Sequence, residues 1–425
     1  MPDRFPRFSL LFADPDTPKE EGYSAEVFGF LGPLGGETPE KLQRILSWKT
    51  SRKDLQFRKE ILEDFLQNPT LLTKIEGILR RLEGLEEVAK REVIPPQDAS
   101  WEEAFSALQE NTRSLMEHLR FLRLAHEETA KQTPESGGLF AFAEYLRLHG
   151  TSPAVKALTE QIAGYPLLRK ESAKCVLHLS LDRYGRCADG QVAYLGPDEE
   201  KYRKKHPVKR EDLSLTVPKE RAEALTAQGL INLCDGFCRI TAGIRLRFSA
   251  LEEGMIFYRF ALSLTEWARS RGHAWCFATP VNEPGPVGRG IHDFAEFRDG
   301  IYRPPITCTA RETESFDGDR GSEILKILAR VQIFAAAGLP LAAEQVLFCP
   351  EQRVCVYSSE GKTTEEEIAA LAALYRDTRK GDLLLLDRPL ITVGKAPAAE
   401  ILGNLLRAFR KKGAALRLAT DLSIR

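Results

Sequence analysis

Residues 382–387 are Asp-Leu-Leu-Leu-Leu-Asp, four consecutive leucines between two aspartates. A short run that is apolar at every position is typical of a strand buried on both faces, as in a parallel sheet. Helical periodicity precedes this run at 364–376 and follows it, and another apolar strand pattern occupies 414–421. The same alternation of strand and helix begins near residue 273. It predicts an α/β domain with a doubly wound sheet over 272–425.

The chain before residue 272 differs in composition and in the periodicity of its hydrophobic residues. Residues 1–40 are rich in proline and glycine, which predicts an extended entry segment. Residues 41–271 carry mainly helical periodicity, with a long helix expected to start at Ser100. Glu103, three residues later, would complete a capping box there. A change to period two at 175–195 predicts a β-hairpin inside this helical domain.

Composition narrows the class of protein. The chain has 425 residues, of which 43% are hydrophobic and 28% charged, with a net charge of -1. These values are ordinary for a globular protein and do not indicate a nucleic-acid partner, although a local basic patch could be present. The eight cysteines lack the close-spaced ligand sets of zinc sites, so we expect free thiols. No apolar run is long enough for a signal peptide or a membrane span, which predicts a cytoplasmic protein without a membrane partner.

The order of several individually weak motifs resembles the MutS family of mismatch-repair proteins. The helical run after residue 322 resembles the helix that follows the family's Walker A loop, and the strand ending at Asp387 resembles its Walker B strand. The resemblance covers most of residues 40–425, lacks a mismatch-reading domain and is nearest to short bacterial MutS-domain proteins. It implies a helical core and lever domain at 41–271 and a P-loop NTPase-like domain at 272–425. The segments that carry it are 49–79, 250–280, 288–297, 322–346, 382–387 and 416–421.

In this register the phosphate loop, Gly-x-x-x-x-Gly-Lys-Ser, falls on 315–322. Arg320 stands at its second glycine, Gly321 at its lysine, and only Ser322 is retained. A phosphate loop works by aiming backbone N–H groups and one lysine at the phosphates. The resemblance therefore implies that this loop is degenerate.

Two further positions depart from the family pattern. Arg388 stands where the family has a glutamate that orients the attacking water, and arginine cannot do this. Asp421 stands where a histidine senses the γ-phosphate. The resemblance thus implies a pseudo-ATPase without a cofactor. Mg²⁺ and ATP would bind, with Asp387 as the metal ligand, only if the nucleotide site still works.

A second glycine-containing loop, Gly361-Lys362-Thr363, has three interpretations that the sequence leaves open. It matches the position of the family's signature loop, which reaches into a neighbouring subunit's nucleotide site. It also fits a simple helix start, with Thr364 and Glu367 as a capping box. Finally, it could be a working phosphate loop of non-standard form.

The sequence therefore supports two functions. The first is a MutS-like, non-catalytic subunit or scaffold in DNA repair or DNA-structure binding, paired with a MutS-like partner subunit. The second is a nucleotide-binding ATPase of the same family with a non-standard phosphate loop. DNA would be contacted by the basic loop 201–210, through Lys204, Lys205 and Arg210, unless that loop is simply solvated.

Other candidates for metal or catalytic chemistry are weaker. His126-Glu127-Glu128 begins like the zinc-binding HExxH motif, but the second histidine is absent. His178 and His292 are isolated in the sequence, which favours structural roles for both.

Overall fold

The computed structural model describes residues 9–14, 19–32, 39–131, 134–169, 171, 173–181, 187–200, 204, 219–283, 285–309, 313–391, 393 and 395–420. Its helices are α1 (Ala25–Leu31), α2 (Pro39–Ser47), α3 (Arg52–Gln67), α4 (Pro69–Ala89), α5 (Trp101–Thr129), α6 (Gly137–Thr151), α7 (Pro153–Ile162), α8 (Lys219–Ser270), α9 (Phe294–Asp299), α10 (Gly318–Ala337), α11 (Thr364–Asp377) and α12 (Lys395–Lys411). Its strands are β1 (Lys174–Leu181), β2 (Cys187–Gly196), β3 (Cys276–Phe277), β4 (Thr279–Pro280), β5 (Val287–Ile291), β6 (Ile306–Cys308), β7 (Thr313–Phe316), β8 (Pro340–Leu341), β9 (Gln345–Phe348), β10 (Val354–Ser358), β11 (Leu383–Asp387) and β12 (Ala415–Ala419).

These elements form two compact units that interleave along the chain. The described residues of the first unit belong to Asn68–Glu135 and Leu139–Leu251. Those of the second belong to Ser9–Gln67, Ser136–Gly138 and Glu252–Arg425.

The first unit is mainly helical. The predicted capping box is confirmed: Ser100 is the N-cap of α5, and its side chain and that of Glu103 bond reciprocally to the backbone. The predicted hairpin is also confirmed, since β1 and β2 pair in antiparallel fashion. The long helix expected to start at Ser100 is α5, which Ser100 caps and which ends at Thr129. Helix α8 is longer still, at 52 residues. Among the described residues, no helix combines the length and apolar character needed to cross a bilayer.

The second unit contains a four-stranded parallel sheet in the order β10-β11-β12-β7. The four leucines of β11 are each 0% exposed, which confirms the strand predicted from 382–387. Fully burying one leucine contributes about 1.5–3 kcal/mol, so this strand is a major source of the unit's stability. Asp387 is paired in register with Ser358 on one side and Ala419 on the other.

Helices cover both faces of this sheet. Leu384 and Leu386 of β11 share a core with Leu371 of α11 and with Leu402 and Phe409 of α12. Successive side chains of a strand point to opposite faces, so Ala419 lies on the other face from Leu418. On that face, the first turn of α10 packs against Ala419 at Gly321. The region is therefore mixed α/β with a parallel sheet, as expected.

Two parts of the second unit differ from expectation. The single strand expected within 274–280 is two short strands, β3 and β4, which pair with β8 and β9 in separate sheets. The entry segment, expected to be extended, contains α1. Val27, Phe28 and Leu31 are buried along one side of α1, so their apolar spacing outweighs the surrounding glycines.

Candidate functional site

Ser322 and Asp387 meet at the carboxyl edge of the parallel sheet. Asp387 is the last residue of β11, and Ser322 lies in the first two turns of α10. The Ser322 hydroxyl donates a short hydrogen bond to Asp387 Oδ1. Both residues are buried, at 7% and 6% exposure. Because a buried carboxylate is stable only when hydrogen-bonded or paired, this contact satisfies one of its two oxygens.

No extended loop separates β7 from α10. The strand ends at Phe316, Asp317 is the N-cap, and the helix starts at Gly318. The expectation that this helix begins at Ser322 is therefore wrong by one turn. The Gly321 N–H donates to Asp317 O over 2.9 Å, so the residues assigned to a phosphate loop already form a helical turn. Asp317 favours this start because a carboxylate at a helix N-terminus complements the positive end of the helix dipole.

Gly321, which the resemblance aligns with the lysine of a phosphate loop, has no room for a side chain. A Cβ built there would lie 2.8 Å from Phe316 O and 2.9 Å from the Cβ of Ala419. Arg320, beside it, is exposed to solvent. This helical turn is thus packed directly onto the sheet.

Arg388 follows Asp387 in an unusual backbone conformation. Its φ is 46°, and Leu390, two residues later, has φ 62°. Non-glycine residues in this left-handed region are uncommon and cost about 1–3 kcal/mol each. The Arg388 N–H donates to Ala419 O over 2.9 Å, and Arg388 Nε lies 3.8 Å from Asp387 Oδ1. A cation therefore stands beside the carboxylate where the family places a second acid.

The loop Gly361-Lys362-Thr363 joins β10 to α11 at the same edge of the sheet. Lys362 Nζ donates to Ser358 O, and its ammonium lies 5.0 Å from the centroid of the Tyr357 ring. Thr363 is the N-cap of α11. Lys362 and Thr363 of this loop therefore both take part in local structure.

The capping box of α11 is shifted by one residue from the predicted pair. It is formed by Thr363 and Glu366, not by Thr364 and Glu367. Glu367 is 0% exposed and accepts a hydrogen bond from the Tyr357 hydroxyl over 3.2 Å. Because Glu367 is held in the interior, Glu366 is the residue free to cap the helix.

A groove of about 1060 Å³ runs between strand β10 and residues 21–30. Lys326, Lys362 and Asp387 are among the residues that line it. The predicted DNA-binding residues and Asp421 do not line this groove in the part of the chain that the structure describes. Lys204 is exposed, whereas Lys205, Arg210 and Asp421 belong to the parts of the chain that the structure does not describe.

Ser322→Ala is expected to lower the free energy of unfolding by about 1–3 kcal/mol, since it removes a hydrogen bond to a buried carboxylate. Ser315→Ala, at an exposed position of β7, is the matched control and should change it by less than about 0.5 kcal/mol. Chemical unfolding followed by circular dichroism measures both variants. Equal stability of the two would show that Asp387 does not depend on Ser322.

The structure also brings together residues that the sequence keeps apart. His292 was expected to be isolated, but His273 stacks on it with ring centroids 3.6 Å apart. Glu296 lies against both rings. The sequence contains only the His292-x-x-x-Glu296 spacing as a signal, because His273 is nineteen residues upstream.

The site's defining features are the Ser322–Asp387 hydrogen bond and the closely packed Gly321. No protein-family model matches the chain, and no curated protein matches it significantly.

Proposed function

We propose that this chain is a MutS-like protein with a degenerate P-loop NTPase domain, which acts as a non-catalytic subunit or scaffold in DNA repair or DNA-structure binding. The observation that carries the proposal is the direct contact between Ser322 and Asp387 beneath a helical turn. In the register that the resemblance implies, this turn falls on the phosphate loop.

The contact supports an NTPase-like origin for the domain. In P-loop NTPases the loop's Ser or Thr and the aspartate of the Walker B strand together hold Mg²⁺ beside the phosphates. Ser322 and Asp387 lie at the same edge of a parallel sheet, on a helix start and a strand end respectively. Their approach is the geometry that such a pair requires, but the two side chains bond to each other.

Three features oppose hydrolysis at this position. Residues 318–321 are helical, so they do not form a loop that could wrap a triphosphate. Asp317, the N-cap residue of α10, places a negatively charged side chain at the helix start, which disfavours an anion there. Arg388, next to Asp387, has no carboxylate with which to orient a water molecule. These features favour a non-catalytic role for the domain.

The alternative function is a nucleotide-binding ATPase that uses a non-standard phosphate loop. The groove lined by Lys326, Lys362 and Asp387 favours it, because it has room for a nucleotide and offers cations near a carboxylate. For Lys362 to reach a phosphate, however, it would have to give up its bond to Ser358 O and its place over the Tyr357 ring.

We expect no saturable binding of a fluorescent ATP analogue with Mg²⁺ up to high micromolar concentration. The physical reason is that no loop of backbone N–H groups is open to the phosphates at Ser322. Fluorescence anisotropy of the analogue with the purified full chain measures this.

Binding would contradict the proposal, and variants then locate the site. Loss of binding in Lys362→Ala but not in Arg320→Ala would favour the groove, and steady ATP turnover would establish the alternative function. Affinity capture with the chain as bait tests the scaffold role separately. Failure to recover any MutS-like protein or DNA would count against that role even if nucleotide binding is absent.

A further inference from the structure

Three side chains converge where α8 ends and β5 turns into α9. The His273 N–H donates to Ala268 O, and the N–H of Gly272, at φ 71°, donates to Arg269 O. This pair of bonds is a Schellman motif, which fixes the direction of the chain after α8. These backbone hydrogen bonds fix the main chain at His273 without using its imidazole ring.

The other two residues are placed by the adjoining elements. His292 follows β5 directly, and its N–H donates to Ala342 O over 2.9 Å. Glu296 lies in the first turn of α9, four residues further on. A strand end, a helix end and a short helix therefore bring the two imidazoles and one carboxylate to a common point.

The polar atoms of this cluster are buried but poorly bonded. The side chains of His273, His292 and Glu296 are 10%, 13% and 1% exposed. His273 Nε2 lies 3.4 Å from Glu296 Oε1, and His292 Nδ1 lies 4.0 Å from Glu296 Oε2. His292 Nδ1 and Glu296 Oε2 have no hydrogen-bond partner. A buried carboxylate oxygen without a partner is costly, so its surroundings call for a cation.

We infer that His273, His292 and Glu296 bind one divalent transition-metal ion, with Zn²⁺ as the expected occupant. Two imidazole nitrogens and a carboxylate oxygen are a common protein ligand set for zinc. The three ligand atoms all lie within 4.8 Å of one another. Zinc bonds of about 2.0–2.2 Å place neighbouring tetrahedral ligands roughly 3.3–3.6 Å apart. The two stacked imidazole rings would have to tilt away from each other for both nitrogen lone pairs to point at one ion.

Three protein ligands leave a fourth position for a small molecule. A cavity of about 30 Å³ lies beside His292 and Trp267, large enough for one water molecule. The ion would neutralise the charge of Glu296 and tie the end of α8 to the corner between β5 and α9. The ion would thereby link His273 and His292, which are nineteen residues apart in the sequence.

A proton shared among the three side chains is the competing explanation for their approach. A zinc titration separates the two explanations. The full-length protein is stripped of metal with a chelator, and Zn²⁺ is added in competition with a chromophoric chelator at neutral pH. We expect one equivalent to bind and to raise the thermal unfolding midpoint, because the ion binds only the folded state. Co²⁺ in its place should give visible ligand-field absorption that reports tetrahedral coordination.

Variants assign the bound ion to these residues. Glu296→Gln preserves the shape of the side chain, and His292→Ala removes a ligand; each should weaken zinc binding at least about tenfold. His149→Ala and Cys238→Ser, which alter a histidine and a thiol outside the cluster, should bind as the unaltered protein does. If His292→Ala fails to fold, the zinc affinity of Glu296→Gln alone tests whether the ion binds at this cluster. The inference is overturned if the unaltered protein binds no zinc at micromolar concentration, or if folded Glu296→Gln binds it equally well.

Discussion

Gly321→Lys, which introduces a lysine where the proposed register aligns that of a phosphate loop, is expected to lower the free energy of unfolding by about 3 kcal/mol or more and not to create ATP binding. The new Cβ would lie 2.8 Å from Phe316 O, a contact that only movement of the backbone can relieve. Overpacking of this kind costs roughly 1–3 kcal/mol. Gly321 is also buried, so the ammonium group must either be desolvated or be displaced toward solvent at further cost.

Arg320→Ala is the matched control for this substitution. Arg320 precedes Gly321 in the same helical turn but is exposed, so its loss should change stability by no more than about 0.5 kcal/mol. Chemical unfolding measures stability, and anisotropy of a fluorescent ATP analogue measures binding. A Gly321→Lys protein that is stable and binds ATP would show that residues 318–321 can unwind into a phosphate loop. The proposal of a site closed by Ser322 and Asp387 would then be wrong.

The strands and helices that the sequence predicted correctly are those fixed by local pattern. The leucines of β11 could be placed because a short, fully apolar run between two aspartates is typical of a buried strand. Helix α11 was predicted at 364–376 and runs from Thr364 to Asp377, with acidic residues in its first turn. The hairpin of β1 and β2 followed from the change in period, which needs no tertiary information.

The sequence could not decide features that depend on contacts across the fold. Thr363-x-x-Glu366 and Thr364-x-x-Glu367 match the same capping pattern, and only the burial of Glu367 against Tyr357 selects the first. The start of α10 was misplaced for a similar reason. A register taken from the family pattern predicts a loop at 315–321, whereas packing of Gly321 against β7 and β12 favours a helical turn.

The two candidate sites differ in how visible they are in the sequence. Ser322 and Asp387 could be paired in advance because motif order relates them, although their direct hydrogen bond could not be foreseen. His273 and His292 belong to no pattern, and they become neighbours only through the Schellman motif and the end of β5. Isolated histidines in a sequence are therefore poor evidence for isolated histidines in a structure.

Arg58, in α3, is a buried cation whose partners are mostly uncharged. Its side chain is 0% exposed; Nε donates to Leu11 O and Nη1 donates to Ala337 O, each over 2.7 Å. The guanidinium lies 5.2 Å from the centroids of the Phe12 and Phe257 rings. Burial lowers the pKa of Arg58 to about 10, which leaves it charged at neutral pH. Arg58 thus holds the segment at Leu11 and caps the last carbonyl of α10.

Arg58→Ala is expected to lower the free energy of unfolding by about 3–5 kcal/mol, the largest stability effect that we predict. Two buried carbonyls lose their donors, at about 1–3 kcal/mol each, and the cavity left by the side chain adds to this. Relief of the buried charge offsets part of the loss. Lys53→Ala, at an exposed position of α3, is the control and should be nearly neutral.

The variant Arg58→Lys separates charge from hydrogen-bond geometry. A lysine retains the positive charge but lacks the planar fork that reaches two carbonyls at once and stacks between two rings. We therefore expect Arg58→Lys to be destabilised by an amount between zero and that of Arg58→Ala, measured by urea unfolding and by hydrogen exchange of the amides at 10–12 and 335–338. Equal stability of Arg58→Lys and the unaltered protein would show that charge alone is required. A decrease in unfolding free energy below about 1 kcal/mol in Arg58→Ala would instead show that the carbonyls of Leu11 and Ala337 find other donors. Two buried carbonyls left without donors would destabilise the protein by more than that.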